Sequence, residues 1–273
     1  MNTPQPVTGT RGVQRVRHET RMRMLRVART ELVTPRMLRV TLTGDDLQGF
    51  VSAAADDHVK VFFPARPGEA PILPGPPGSH AAGAGPRPIA RDYTPRHYDS
   101  LRNELDLEFS LHGDGPAAQW ASRAAVGQQL AVGGPRGSFL VTGAFDWYLL
   151  VGDDTALPAI ARRLAELPPG ARAIVIAEVD NVAEEQRWQS AATVQQTWLH
   201  RDGRPAGDAA LLERAVAECS LPSGQGYAWI ACESNVARTL RQRLLERGLN
   251  KQWIKAAGYW KRGASATHDK FED

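Results

Sequence analysis

The segment RDYTPR (91–96) concentrates cofactor-binding chemistry in six residues. If it is extended, Arg91, Tyr93 and Pro95 face one way and Asp92, Thr94 and Arg96 the other. Tyrosine can stack on a planar ring, threonine can bond a ring heteroatom, and arginine pairs bidentately with phosphate oxygens. The plain alternative is a strand end with surface arginines. HGDGPAAQWA (112–121) places His112, Gly113 and Gly115 before Pro116, Ala117 and Trp120, a glycine turn that opens a helix and so a potential anion site. GGPRGSF (133–139) is a second glycine-rich turn around Arg136.

A second group lies in the C-terminal half. GDDTALPA (152–159) brings Gly152, Asp153, Asp154, Thr155 and Ala156 to a strand–helix junction, where nucleotides bind in open α/β sheets. It is not a GxGxxG fingerprint, so a full Rossmann dinucleotide mode is not supported. WLHR ends a strand with His200 and Arg201, and GYWKRG follows the last strand with Tyr259, Trp260, Lys261 and Arg262. Nucleophile and metal patterns are missing: there is no GxSxG, HExxH or CxxC, and the seven histidines form no ligand spacing. The residues point to chemistry supplied by a bound cofactor, with no protein metal site.

The elements needed to position these groups change character near residue 143. Before it, MLRVTLTG (37–44), HVKVFF (58–63), ELDLEFSLHG (104–113) and QQLAVGG (128–134) read as short strands, with others near 22–32 and 89–97. Leu105, Leu107, Phe109 and Leu111 share one face, as in a half-buried antiparallel strand. About six such strands are most simply protected as a closed antiparallel barrel. Residues 64–88, rich in Pro, Gly and Ala, read as a flexible loop. After residue 143, strands at 147–152, 173–179, 194–199, 227–231 and 252–258 alternate with helices following 154, around 183–190, at 208–219 and at 234–248. This predicts a five-stranded parallel, doubly wound sheet. The expected organisation is a basic flexible tail over 1–19, a barrel over 20–142, an α/β domain over 143–263 and a tail over 264–273.

Composition excludes whole classes. Hydrophobic residues are 42% and charged residues 23% of 273, which rules out wholesale disorder. No apolar run approaches the roughly 20 residues of a membrane span, and the N-terminus lacks a secretory apolar region. Two cysteines, Cys219 and Cys232, cannot build a disulfide framework, which fits a reducing cytoplasm. The net charge is only +3, yet Arg11, Arg15, Arg17, Arg21, Arg23, Arg26, Arg29, Arg36 and Arg39 crowd the front of the chain. Such a run is either a solvated face or an attractor of anionic ligands. No nucleic-acid-reading motif accompanies it.

The ordered set HVKVFFP, RDYTPR, HGDGPAAQWA, GGPRGSF, GDDTALPAI, WLHR, ACES and GYWKRG, spanning about residues 20–263, resembles the siderophore-interacting protein family. These are flavin- and NAD(P)H-dependent ferric siderophore reductases related to ferredoxin–NADP reductases. The resemblance implies an FAD-binding β-barrel followed by an NAD(P)H-binding α/β domain. FAD would contact Arg91, Tyr93, Thr94, Arg96, His112, Gly113, Gly115, Pro116, Ala117, Trp120, Gly137, Ser138 and Phe139. It also implies that Lys60, Arg136 and Lys261 or Arg262 face an anionic ferric chelate of catecholate type. Tyr259 and Trp260 match the family's aromatic pair.

Gly152 to Ala156, His200, Arg201 and Glu233 fall at the nucleotide side, where Arg201 favours the 2′-phosphate of NADPH over NADH. The family usually has glutamate at Asp154, and glycine at Cys232. Electrons would pass from NAD(P)H through FAD to Fe(III), releasing Fe(II), with no nucleophile from the protein. The alternatives are a generic flavin or electron-carrier reductase, and a non-catalytic binder of anionic siderophores. Neither nucleic acid nor membrane insertion is expected, and nothing in the sequence demands more than a monomer.

Overall fold

The computed structural model describes residues 11–66, 68–74, 88–111, 113, 115–264 and 269–270. His112, much of loop 64–88 and the outer parts of both tails lie outside the described residues. The chain divides into two compact units. One is Arg15–Phe139, and the other joins an N-terminal piece ending at Gln14 to Leu140–Asp273.

The first unit is a curled antiparallel sheet. In chain order, β1 is Gly12–Arg17, β2 Met22–Thr34, β3 Met37–Thr43, β4 Val59–Phe63, β5 Ile89–Tyr93, β6 His97–Asp99, β7 Glu104–Ser110, β8 Gln129–Gly133 and β9 Gly137–Thr142. Seven of these form one sheet in the order β5-β4-β8-β2-β3-β7-β6, while β1 pairs with β9. The expectation of about six strands therefore resolves into seven, because the run near 89–97 is two strands broken at Thr94–Arg96. β5 and β6 stand at opposite edges, so the sheet curls without ring closure by strand pairing.

Register shifts in β2, at Val27/Arg29 and Leu32/Thr34, mark where bulges bend it. The concave face buries Leu25, Val27, Val40, Leu42, Val61, Phe63, Leu105, Leu107, Phe109 and Leu130. Their period-2 spacing on each strand is what the sequence pattern requires. Helix α1, Pro116–Ala121, packs Trp120 and Ala117 against this core.

Residues 11–17 of the expected tail are built into the fold. Residues 12–17 are β1, and Arg11 donates to Ala144 O, Gln225 Oε1 and Asp146 Oδ1 at 2.6, 2.8 and 3.0 Å. Several arginines of the basic run have structural partners. Arg29 meets Glu104 and Arg39 meets Glu108, each at 2.7 Å. Buried Arg23 donates to Gly134 O and lies over Phe50.

The second unit carries β10 (Trp147–Gly152), α2 (Leu157–Glu166), β11 (Arg172–Val179), β12 (Thr193–His200), α3 (Ala210–Glu218), β13 (Gly226–Glu233), α4 (Ser234–Glu246) and β14 (Ile254–Trp260). The order β12-β11-β10-β13-β14 is parallel throughout, and the two-residue β15 (Asp269–Lys270) adds antiparallel to β14. β10 is buried along its whole length, as a strand covered on both faces must be. α4 buries Val236, Ala237, Leu240 and Leu244, one apolar stripe at helical spacing. The helix expected at 183–190 is instead a single 3-10 turn, Val182–Glu184, capped by Asn181. The residues after it, EQRWQS, offer no apolar stripe to bury.

Candidate functional site

In the barrel unit the site is built on edge strand β5. Val59, Val61 and Phe63 pair with Tyr93, Arg91 and Ile89, so Arg91 and Tyr93 share the face of the core residues. The Tyr93 ring is 4.3 Å from Phe109 and 6.2 Å from Phe63, centroid to centroid. Trp120 completes the cluster at 5.5 Å from Phe109 and 5.8 Å from Phe63. Tyr93 is only half-buried, and its phenol is pushed up by burial.

Past the strand, Thr94 is buried, and Arg96 Nε stands 3.8 Å from Glu108, a carboxylate shared with Arg39. Two guanidiniums thus share one buried carboxylate, and Glu31 stands 3.7 Å from the Arg39 guanidinium as well. This donor set fits FAD: an aromatic platform, a hydroxyl and two guanidiniums within six residues. Gly113 holds a positive φ of 78° before α1, and a Cβ at Gly113 or Gly115 would meet open space. With six residues, α1 contributes little dipole.

The GGPRGSF turn is held from below. Gly137 lets β1 approach, since a Cβ there would stand 2.4 Å from Val16 O. Ser138 is buried and donates to Asp57 Oδ2 at 2.6 Å, and accepts from Ala53 N–H at 3.2 Å. Its single proton is thus committed, so His18 Nε2, 2.7 Å away, must donate to it. The sequence placed Ser138 among cofactor contacts, whereas here its hydroxyl ties β9 to the Asp57 turn. Phe139 lies under the Arg15 guanidinium, and Arg136 is exposed. Lys60 pairs with Asp92 at 2.7 Å, on the strand face away from Tyr93. Lys60 and Arg136 belong to the barrel unit, Lys261 and Arg262 to the other.

In the α/β unit the expected residues gather at the carboxyl ends of the strands, around the β10–β13 switch point where the strand order reverses. Gly152 is required there: a Cβ would fall 2.4 Å from Ala156 Cβ and 2.8 Å from Ala231 O. Asp153 is buried. Its Oδ1 accepts from Thr155 N–H at 3.0 Å and Thr155 Oγ1 at 2.5 Å, and its Oδ2 from Trp260 Nε1 at 2.7 Å. Burial, then the neighbouring Asp154 charge, raises the Asp153 carboxyl to about 6.

Arg201, only 5% exposed, bonds Asp154 at 3.0 Å and Glu178 at 3.5 Å, with Asp180 at 4.0 Å. Burial works against its charge, but the Asp154 charge and hydrogen bond and the Glu178 charge outweigh this and raise its pKa. Burial and the Asp153 charge lift Glu178 to about 7, and its Oε2 is buried without a hydrogen-bond partner. Arg201 is therefore directed into the protein and not presented to a 2′-phosphate, because three carboxylates hold it. His200 Nε2 lies 2.8 Å from Glu185. Glu233 caps α4, accepting from Asn235 N–H and Val236 N–H. Cys232 is buried, its thiol raised by burial and by nearby acids, as a structural thiol would be. Tyr259 meets Trp229 edge to face at 6.1 Å.

Glu178, Glu108 and Asp57 were not singled out from sequence. Glu178 had a readable signal: a lone charge inside the apolar run AIVIAEV. Among the described residues no acid, histidine or cysteine group could hold a metal ion, and no helix is long and apolar enough to cross a membrane.

Comparison with known proteins covers nearly the whole chain. A ferric reductase of Escherichia coli K12, described as an NADPH-dependent ferric-chelate reductase, is 35% identical over 255 residues, 90% of this chain and 96% of its own length. The ferric vibriobactin reductase ViuB of Vibrio cholerae is 35% identical over 245 residues, 88% and 90% of the two chains. The crystal structure of a siderophore utilization protein from T. fusca superposes with a TM-score of 0.85 at 36% identity, covering 95% of this chain and all of that one. Residues 26–139 match the siderophore-interacting FAD-binding domain and residues 145–263 the siderophore-interacting protein domain, so the chain belongs to the siderophore-interacting protein family.

Proposed function

We propose that this protein is an NAD(P)H-dependent ferric siderophore reductase that uses FAD and releases iron as Fe(II). The observation that carries it is the β5 edge, where Tyr93 sits half-exposed on an aromatic base with Arg91, Thr94 and Arg96 beside it, within the match to the FAD-binding domain. When bound, FAD supplies a redox centre that accepts two electrons together and passes them on singly. The chain's own residues then have defined tasks. Phe109, Phe63 and Trp120 fix the Tyr93 ring as a platform. Arg91 and Arg96 hold phosphate and polar groups, and the Glu108 carboxylate limits where Arg96 can point. Gly152 keeps β10 and α2 close enough to leave a nucleotide crevice at the sheet's carboxyl end.

NADPH is the preferred reductant in this reading, supported by the description of the E. coli relative and not by Arg201. The barrel over 20–142 takes FAD and the α/β domain over 143–263 takes the nicotinamide nucleotide. Lys60, Arg136, Lys261 and Arg262 attract an anionic ferric catecholate, whose charge makes cations effective in a partly dry site. The protein acts as a cytoplasmic monomer in this account. An anaerobic visible spectrum of the FAD-loaded protein tests it. Flavin absorbance should bleach with NADPH and return on adding a ferric tris-catecholate. Bleaching without return would reject the ferric chelate as acceptor, and failure to retain flavin after desalting would reject the cofactor assignment.

A further inference from the structure

Two buried carboxylates, Asp153 and Glu233, share an unusual division of labour. Each follows or ends one of the strands flanking the switch point, β10 and β13. Each uses one oxygen to close its own strand-to-helix turn. Asp153 Oδ1 takes Thr155 N–H and Oγ1, and Glu233 Oε2 takes Asn235 N–H and Val236 N–H. Each turns its other oxygen to the segment that ends β14. Asp153 Oδ2 accepts Trp260 Nε1–H at 2.7 Å, and Glu233 Oε1 accepts Arg262 N–H at 3.3 Å.

The same segment is gripped at further points. Ser234 Oγ donates to Trp260 O at 3.1 Å, and Arg262 Nη2 donates to Ala206 O at 2.7 Å. The indole lies against Gly207, where a Cβ would stand 2.9 Å from Trp260 Cη2. Gly207 also has a φ of 76°, so both space and backbone favour glycine. Lys261 sits inside this gripped stretch, bridged to Ala264.

We propose that Asp153 and Glu233 are positioning residues that fix the Trp260–Arg262 turn, and with it the cations that meet the ferric chelate. This rests on the reductase reading above, which assigns Lys261 and Arg262 to the substrate. Closing the two strand-to-helix turns alone would need only one oxygen from each residue. The second oxygen of both residues is directed at the turn that carries Lys261 and Arg262. The charge on Asp153 matters, because a carboxylate accepts the indole N–H more strongly than a neutral group does. The groups facing Asp153 are Asp154, Glu178, Arg201, Cys232 and the Thr155 hydroxyl. Among these acids, burial and Asp154 bring Asp153 to about 6, so its charge is lost as pH falls through that value.

The test uses the FAD-loaded protein and a gallium(III) tris-catecholate, which is anionic but inert to reduction. Asp153→Asn keeps the shape and removes the charge. Trp260→Phe keeps a ring and removes the N–H. Each should weaken gallium-chelate binding roughly five- to tenfold at pH 8, and the double variant should weaken it no further than either alone. The wild-type advantage over Asp153→Asn should shrink as pH falls through about 6, a comparison in which protonation of the ligand cancels. Glu233→Gln should weaken binding while flavin content stays at the wild-type level. Wild-type affinity in both Asp153→Asn and Trp260→Phe would overturn the proposal alone. Absence of gallium-chelate binding by the wild type would overturn the reductase reading, and the proposal with it.

Discussion

Replacing Glu178 with glutamine separates the electrical cost of the buried acid cluster from its packing. Glu178 lies near the end of the apolar strand β11, almost fully buried, beside Asp153 and Asp154, with Arg201 as the only cation bonded to it among the described residues. An ordinary glutamic acid titrates at 4.5, and burial with the Asp153 charge raises this one to about 7. The folded state therefore holds the proton more tightly than the unfolded state. The resulting stability is full below pH 4.5 and is lost progressively as pH rises towards 7. At about 1.4 kcal/mol for each pH unit crossed, ionising Glu178 within the fold costs on the order of 3 kcal/mol.

Glutamine is neutral throughout and keeps a carbonyl for Arg201. Urea melts of both proteins at pH 5, 6, 7 and 8 should show the variant gaining on the wild type as pH rises. The gain should approach about 3 kcal/mol by pH 8, less whatever the new amide loses for want of an acceptor. In thermal melts the same gain is a rise of several degrees, at ~2–4 °C per kcal/mol for a chain of this size. A stability difference that does not change between pH 5 and 8 would refute the reasoning, because it would mean that Glu178 is ionised, or solvated, at both ends of the range.

Other outcomes follow from the same geometry. Arg201→Ala strands Asp154 and Glu178 in the interior and should destabilise by roughly 3–5 kcal/mol at pH 8, less at pH 5.5 where Glu178 holds its proton; chemical melts at the two pH values read this. Ser138→Ala removes one of the donors to buried Asp57 and the acceptor of His18, and should cost about 1–3 kcal/mol in the same assay. Tyr93→Phe should hold FAD nearly as well as wild type, since the ring is the platform. Tyr93→Ala should bind it at least roughly tenfold more weakly in a flavin fluorescence titration, from lost stacking.

How much could be read in advance depends on whether a residue's task is local. β10 is a continuous apolar run and occupies the expected residues 147–152, because a strand covered on both faces leaves no other pattern. α4 was equally legible from its stripe and from Gly248 beyond its end. The residues of RDYTPR were legible as a cluster, yet their division into the end of β5 and the break before β6 depends on the pairing of those strands with β4 and β7, partners distant in sequence. Arg201 shows the limit most clearly. As a residue type past a strand end it looks like a phosphate ligand. Its direction is set by Asp154 and Glu178, 47 and 23 residues away, and no local pattern contains them. Ser138 is the same case: its hydroxyl is claimed by Asp57, 81 residues earlier.

The clasp around Arg11 has a consequence for synthesis. The barrel unit is an insertion within the other unit, since its chain runs from Arg15 to Phe139 while residues on both sides belong together. Arg11 leaves the ribosome before any barrel strand of that unit, but its partner Gln225 lies 214 residues later. At ~5–20 residues per second, the arginine precedes that partner by roughly 10–40 s. The barrel, whose seven-stranded sheet is complete by Gly133, has time to fold in that interval. The α/β unit cannot finish until its carboxyl-terminal strands appear and capture a segment made before the barrel. Vectorial synthesis thus orders assembly: the inserted barrel first, the interrupted unit last, with Arg11 as the stitch that closes it.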